Sequence, residues 1–342
     1  MNKEVTIYDI AEQLNISAST VSRALNDHPA INEKTKKKIN QTASELGYRS
    51  NLFAKNLRAK STMTLGVMVP KLDSYFLATV LAGMEKEANQ SGYNLLIAQS
   101  LDSPKKEIAN AKTMFNSRVD GLLVSTLLSI EEIGHFEPFL RKGIPILFFD
   151  RVLDVKKIPK IVIDNFQAGY DATAHLIEQG CKKIFHFTGD LGWNVYRDRY
   201  HGYLKALADA NVSYNEDMLF VTNLSLEASS EVSQQIAELD DKPDGFFVTN
   251  DTCAASLMVS LKKEGIRVPG DIAIIGFNDD PITRIVEPRL STVHYPGEEM
   301  GELAARSLIS HLKGDSNVQL TNTIVLSHEL IPRGSTTRFK EV

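Results

Sequence analysis

Residues 6–26 read TIYDIAEQLNISASTVSRALN, and how this stretch folds decides what the rest of the chain is for. Ile7, Ile10, Ala11 and Leu14 recur at the i, i+3, i+4, i+7 spacing of one buried helix face, and Thr6 stands where its hydroxyl can accept the Asp9 amide. Asn15 and Ile16 make a tight turn, Ser17 caps a second helix, and Val21, Ala24 and Leu25 form that helix's inward stripe. Ala18, Ser19, Ser22, Arg23 and Asn26 are left outside. These side chains are small or hydrogen-bonding, so the helix can enter a major groove closely and offer the Arg23 guanidinium to guanine O6 and N7. The pattern predicts a helix-turn-helix; its alternative is a helical hairpin with a solvated polar face.

The next segment favours the first reading. After a turn at Asp27 to Ala30, Asn32 caps a third helix with Lys34, Lys36, Lys37 and Lys38 in its first turns, Ile39, Thr42, Ala43 and Leu46 inward, and Gly47 at its end. Lysines at a helix N-terminus oppose the macrodipole, so an external anion explains them better than helix stability does. Phosphate is such an anion. Residues 1–60 carry ten cations against six carboxylates, a balance of +4, while the whole chain is at -5, which leaves -9 for the other 282 residues. A basic module on an acidic body suits a protein that meets a polyanion at one end only.

From Thr64 the period changes. Short apolar runs at Leu65–Val69, Asn94–Ala98, Gly121–Val124 and Ile146–Phe149 alternate with helical patterns such as Phe76, Val80, Met84. A second series follows at Ile161–Ile163, Ile184–Phe187, Leu219–Val221, Gly245–Val248 and Ile272–Gly276, with helices near Ala168–Gln179, Arg199–Asn211, Ser225–Leu239 and Cys253–Glu264. This predicts an α/β body of two doubly wound parallel-sheet lobes. No linker rich in proline, glycine or serine separates them, so several short crossings are expected.

Parallel sheets bind ligands beyond the carboxyl ends of their strands. Those ends read Pro70 with Asp73, Ser100, Ser125, Asp150, Asp164 with Asn165, Thr188 with Asp190, Asn250 with Asp251, and Asn278 with Asp279. Carboxylates and amides there chelate neighbouring hydroxyls of a sugar or polyol, with Trp193 or Phe76 to stack on its apolar face. Helix capping is the competing reading for each one taken singly.

Other classes find little support. There is no G-x-G-x-x-G after the first strand, no G-x-x-x-x-G-K-[ST], no G-x-S-x-G, no H-E-x-x-H and no C-x-x-C. His175, His186, His201 and His294 fall inside expected helices or strands, as structural histidines do, and no metal or cofactor is expected. Cys181 and Cys253 read as small packing residues of a cytoplasmic protein. No apolar run of about 18 residues is present to span a membrane, and the N-terminus has no export pattern. An enzyme joined to a helix-turn-helix, or a protein-binding adaptor, are the remaining alternatives.

Residues 1–60 resemble the DNA-binding headpiece of the lactose-repressor (LacI/GalR) family: T-I-Y-D-I-A, S-x-x-T-V-S-R-A-L-N and E-L-G-Y stand in order and at the family's spacing. Asn51–Ala59, NLFAKNLRA, is similar to its hinge helix, with Ser50 where the family usually has proline. The resemblance continues through VDGLLV, FFDR at 148–151, VIDN at 162–165, R-x-x-G-Y at 199–203, FVTND at 247–251, VPGDIAIIGFND at 268–279 and RGST at 333–336. It implies a periplasmic-binding-protein-like core behind the headpiece. It also implies a transcriptional regulator, a repressor, that binds a near-palindromic double-stranded operator as a homodimer under a sugar-like effector. The expected DNA-contacting set is Thr6, Tyr8, Ser17, Ala18, Ser19, Thr20, Ser22, Arg23 and Asn26, joined by Asn51, Ala54 and the minor-groove wedge Leu57.

The resemblance implies effector contacts at Phe76, Asp150, Asp164, Arg199, Asn250 and Asn278, with Trp193 and Tyr295 in segments that line the cleft; Ser125 and Asp279 join them as strand-end polar groups. Asn278 replaces an aspartate often found there, and Cys181 stands where the family commonly has histidine. The absence of a heptad tail after RGST points to a dimer. The expected division is a headpiece over 1–49, a hinge over 50–60 and a core over 61–342. In that core one lobe is formed by about 61–161 plus 292–320, the other by about 162–291 plus 321–342.

Overall fold

Thr6 starts the first helix in a reciprocal capping box with Asp9. Thr6 Oγ1 and the Thr6 amide both donate to Asp9 Oδ2, at 2.6 and 2.7 Å, while the Asp9 amide goes to the Thr6 carbonyl at 3.2 Å. The computed structural model describes residues 5–48, 61–127, 130–155, 158–320 and 322–337, and the chain divides into two units between Thr62 and Met63. The expected hinge over 50–60 lies outside the described residues.

In the first unit α1 (Ile7–Leu14), α2 (Ala18–Leu25) and α3 (Glu33–Glu45) surround a small core of Ile10, Ala11, Val21, Ala24, Ile39 and Ala43. Asn15, at φ 52°, ends α1 in the left-handed conformation that turns the chain into α2. Ser17 Oγ accepts from the Thr20 amide at 3.1 Å and Asn32 Oδ1 from the Thr35 amide at 2.9 Å, so both expected caps form.

The second unit contains two parallel sheets. The first runs β11-β5-β4-β3-β1-β2, from β1 (Thr64–Val69), β2 (Asn94–Gln99), β3 (Gly121–Val124), β4 (Ile146–Phe149), β5 (Lys160–Ile163) and β11 (Thr323–Leu326). The second runs β7-β6-β8-β9, from β6 (Ile184–Thr188), β7 (Leu219–Val221), β8 (Gly245–Val248) and β9 (Ala273–Ile275). An antiparallel pair, β10 (Thr292–His294) with β12 (Glu329–Ile331), lies where the chain returns. The helices are α4 (Tyr75–Gln90), α5 (Pro104–Asn116), α6 (Glu137–Arg141), α7 (Asn165–Glu178), α8 (Asn194–Asp209), α9 (Leu226–Glu238), α10 (Asp251–Lys263) and α11 (Gly297–Lys313).

One expected boundary is corrected. β5 pairs with β4 (Phe149 opposite Ile161) and β11 pairs with β5 (Val325 opposite Val162), so residues up to 163 and again 323–326 belong to the first lobe. Ladder pairing decides membership, and an apolar triplet in sequence does not say which sheet will pair with it.

Two helix pairs approach so closely that only glycine fits between them. A Cβ on Gly301 of α11 would lie 1.9 Å from the Val80 carbonyl oxygen, and one on Gly83 of α4 would lie 2.1 Å from that of Glu298. Gly169 of α7 and Gly202 of α8 face the Arg199 and Phe166 carbonyls in the same way. Backbone cannot retreat as a flexible side chain can, so the close approach requires these residues.

At the start of α10 a carboxyl ties three segments together. Asp251 is fully buried; its Oδ1 accepts from Thr292 Oγ1 at 2.7 Å and its Oδ2 from the Asp280 amide at 2.8 Å. Burial, then the neighbouring Asp280 carboxyl, push Asp251 up to about 8.

Gly301→Ala should lower the thermal unfolding midpoint, at a cost of about 1–3 kcal/mol by overpacking, while Gly134→Ala, with nothing within 4 Å of the added methyl, serves as a near-silent control. The Asp251 carboxyl is raised in the folded state, so its contribution is complete below the unfolded value of about 4 and is lost as pH rises through about 8. Melting temperature should therefore fall between pH 6 and pH 9 in the wild type, and Asp251→Asn should flatten that fall; parallel slopes would contradict the assignment.

Candidate functional site

The outer face of α2 is polar and partly self-satisfied. Ser17 Oγ lies 2.8 Å from both Ser19 Oγ and Thr20 Oγ1, and Asn26 Nδ2 donates to the Ser22 carbonyl at 2.8 Å. Arg23 is exposed and engages no partner among the described residues, which leaves its five donors available. Ala18 is half-buried and packs partly on the headpiece core, and the Tyr8 ring is 70% exposed on α1. Asn51, Ala54 and Leu57 lie outside the described residues.

The lysine cluster at the start of α3 is not uniform. Lys34, Lys37 and Lys38 are exposed. Lys36 is buried, with its Nζ 2.6 Å from Asp27 Oδ1 and 3.0 Å from Glu33 Oε1. The expectation of four lysines free for phosphate is corrected to three, because an ammonium already held by two carboxylates has little charge left to offer.

In the second unit a cavity of about 720 Å³ lies beyond the carboxyl ends of the strands of both lobes. Phe76, Asp150, Trp193, Arg199, Asn250, Asn278 and Tyr295 all line it. At its floor, Phe76 and Tyr295 stack with ring centroids 4.1 Å apart. The Tyr295 hydroxyl donates to Asp150 Oδ1 at 3.2 Å and Ser125 Oγ to Asp150 Oδ2 at 3.1 Å. Burial raises Asp150 above the ordinary carboxylate range, and the charges of Arg151 and Arg199 pull the other way.

Arg199, from α8, is buried with its guanidinium carbon 3.6 Å from the centre of the Phe277 ring. Its Nε donates to Asn165 Oδ1 at 2.8 Å and its Nη1 to the Thr249 carbonyl at 3.3 Å. Arg151 stacks over Trp193 at 4.7 Å and pairs with Asp102 at 2.9 Å, which Lys71 also holds. Asn250 caps α10 with its Oδ1. Asn278 holds φ 117°, a strained value for a residue with a side chain, and its amide donates to the Val293 carbonyl at 2.8 Å.

Three expected residues do not line this cavity. Ser125 is buried behind Asp150 and acts through it. Asp164 is exposed and caps α7, accepting from the Gln167 amide at 2.9 Å, while its neighbour Asn165 points inward to Arg199. Asp279 turns away to Arg333 and Arg284, at 2.6 and 2.8 Å, and Asp280 lines the cavity in its place. Asp280 Oδ1 is buried without a hydrogen-bond partner in the described structure, and burial pushes the carboxyl up to about 6. Arg151 and Tyr196 also line the cavity, and their signal in the sequence is FFDR and the aromatic spacing after Trp193.

No group of three His, Cys, Asp or Glu side chains that could hold a metal occurs among the described residues, and none of their helices is long and apolar enough to cross a membrane. His186 is fully buried in β6 and pushed down to about 3 by burial, a neutral core imidazole against the Phe247 carbonyl.

The family described as bacterial regulatory proteins, lacI family, matches residues 6–51, and the periplasmic binding protein-like domain matches residues 173–336. The chain is 33% identical over 332 residues to the NTD biosynthesis operon regulator NtdR of Bacillus subtilis (strain 168), covering 97% of this chain and 99% of the relative. It is 30% identical over 325 residues to catabolite control protein A of Priestia megaterium, covering 94% and 97%. Its fold matches a crystal structure of the lac repressor dimer bound to operator and the anti-inducer ONPF, with a TM-score of 0.88 at 23% identity over 98% of this chain and all of that one. The relatives are transcriptional regulators and not enzymes. On this sequence identity across nearly its whole length, the chain belongs to the lacI family of bacterial regulatory proteins and is a DNA-binding transcriptional regulator.

Proposed function

We propose that the protein is a cytoplasmic repressor that binds a near-palindromic operator as a homodimer and is controlled by a sugar or sugar derivative held in the cavity between its two lobes. The observation that carries the effector reading is the cavity floor. Asp150 and Arg199 offer an acceptor and a donor set, Asn250 and Asn278 add amides, and the Phe76–Tyr295 stack and Trp193 supply the flat apolar surfaces that the faces of a pyranose ring require.

For DNA, α2 enters the major groove with Arg23 reading a base and Ser17, Ser19, Thr20, Ser22 and Asn26 near the backbone, while Thr6, Tyr8 and the exposed lysines of α3 hold phosphates. Asn51, Ala54 and Leu57, outside the described residues, complete the proposed contact set in the minor groove.

Support for a homodimer comes from exposed apolar side chains at two sheet edges. Ile97 lies on the edge strand β2, with Leu101 and Ile108 following it; Val221 lies on the edge strand β7, with Leu226 following. Open edges and exposed apolar groups of this kind call for a cover. Effector binding then changes the angle between lobes, and a coupling of about 1–3 kcal/mol suffices to shift operator occupancy.

The function is tested by incubating purified protein with fragments of its own genome at moderate salt and sequencing what is retained. A two-fold symmetric motif is expected; enrichment without a motif would leave charge as the only source of binding. On that operator, Arg23→Ala should cost about 1–3 kcal/mol at one base pair, whereas Lys37→Ala should weaken operator and random DNA alike and lower the salt slope by roughly one. Equal losses on both DNAs for Arg23→Ala would refute its role as a base reader. With an effector found among compounds made or degraded by the neighbouring genes, Arg199→Lys and Asn250→Ser should each weaken the effector response about tenfold or more and leave operator affinity unchanged. Asn250→Ser keeps the helix cap, and an unaltered dose response in both variants would place the effector elsewhere.

A further inference from the structure

Among the charged side chains at the start of α3, Lys36 alone is buried. Its side chain is 11% exposed, against 88% for Asp27 and 79% for Glu33, the two carboxylates it meets. Asp27 belongs to the turn that leaves α2; it sits at φ 54°, its amide bonds to the Ala24 carbonyl, and the next amide, of His28, reaches back to the Arg23 carbonyl. Glu33 opens α3. One ammonium therefore joins the end of the base-reading helix to the start of the next.

We propose that Lys36 is a positioning residue for operator recognition, clamping the turn at Asp27 to Glu33 so that α2 presents Arg23 at a fixed angle, and that it makes no phosphate contact of its own. The charges support this assignment. Lys36, Asp27 and Glu33 together carry a net charge of -1, so the trio adds no cation to the DNA-facing surface. An exposed carboxylate beside a phosphate chain is unfavourable, and Lys36, shared between two of them, offsets one of the two negative charges. Lys34, Lys37 and Lys38, being exposed, are the ones placed to displace counterions. The inference rests on the proposed base-reading role of α2.

The two roles predict opposite results. A phosphate lysine, when removed, lowers the slope of log affinity against log salt by about one, and removal of a nearby carboxylate tightens binding. A clamp lysine, when removed, leaves that slope unchanged, and removal of its carboxylate partner weakens operator binding although a negative charge has gone.

The experiment uses the full-length protein, the selected operator and a random duplex, with salt titrations of Lys36→Met, Asp27→Asn and the double variant. Asp27→Asn retains a residue type that tolerates the left-handed conformation and alters a largely exposed side chain, so folding is kept. The clamp predicts that each single variant loses about two- to fivefold in operator affinity, loses less on the random duplex, keeps the wild-type slope, and gains no further loss in the double variant. A slope lowered by about one in Lys36→Met, or unchanged or tighter operator binding by Asp27→Asn, would overturn it. Failure of the base-reading premise looks different: Arg23→Ala would then lose operator and random DNA equally.

Discussion

A guanidinium buried between two lobes must find its partners there, and Arg199 organises the body of this protein through that need. Its carbon sits 3.6 Å from the centre of the Phe277 ring, its Nε on Asn165 and its Nη1 on the Thr249 carbonyl. Those partners come from the exits of β9, β5 and β8, while the Asp150 charge that faces it comes from the exit of β4. Burial lowers the guanidinium's proton affinity, opposed by Tyr295, Tyr196 and Asp150, and raises that of Asp150, opposed by Arg151 and then Arg199, so each charge depends on the set of groups around it.

The same geometry sets the character of the cavity. α4, α8, α9 and α10 all begin at its wall, at Ser74, Trp193, Ser225 and Asn250. Six carboxyl side chains line it, Asp73, Asp102, Asp150, Asp190, Glu227 and Asp280, against the three cations Lys71, Arg151 and Arg199. Each helix start carries roughly half a positive charge, so the four together offset most of that excess. A nearly balanced field with many donors and acceptors suits the neutral, hydroxyl-rich effector proposed above better than a strong ion of either sign.

Much of this was legible in the sequence. β3, β4, β7 and β8 begin and end at the residues their apolar runs indicate, and the caps Ser17 and Asn32 form as read. What could not be read is direction at the strand exits. Asn278 at φ 117° and Asp279 at φ 59° turn the chain so that Asp279 meets Arg333 and Asp280 enters the cavity; no spacing rule contains two such dihedrals. At Asp164 and Asn165 the helix cap took one side chain and Arg199 the other, and both residue types suit either place. Lys36 differs from its neighbours for a related reason: the sequence shows a lysine run, and only the fold shows that a turn carboxylate lies 2.6 Å from one of its members.

The segments that cross between lobes also carry side chains that line the cavity. The chain passes over after β5, between β9 and β10, and again around β11 and β12. Along the second and third crossings the Gly276 amide bonds to the Ser291 carbonyl, Ser291 Oγ lies 2.7 Å from Thr336 Oγ1, and Thr336 Oγ1 lies 2.8 Å from His175 Nε2. The second and third crossings are thus bonded to each other and to α7, an arrangement that favours bending over separation of the lobes. Asn278 and Asp280 lie on the second crossing, and Tyr295, directly after β10, reaches the first lobe through Phe76 and Asp150. The effector proposed above would touch these crossings directly, so its binding energy would differ between lobe angles without any relay of distant contacts, which is the requirement for shifting a population.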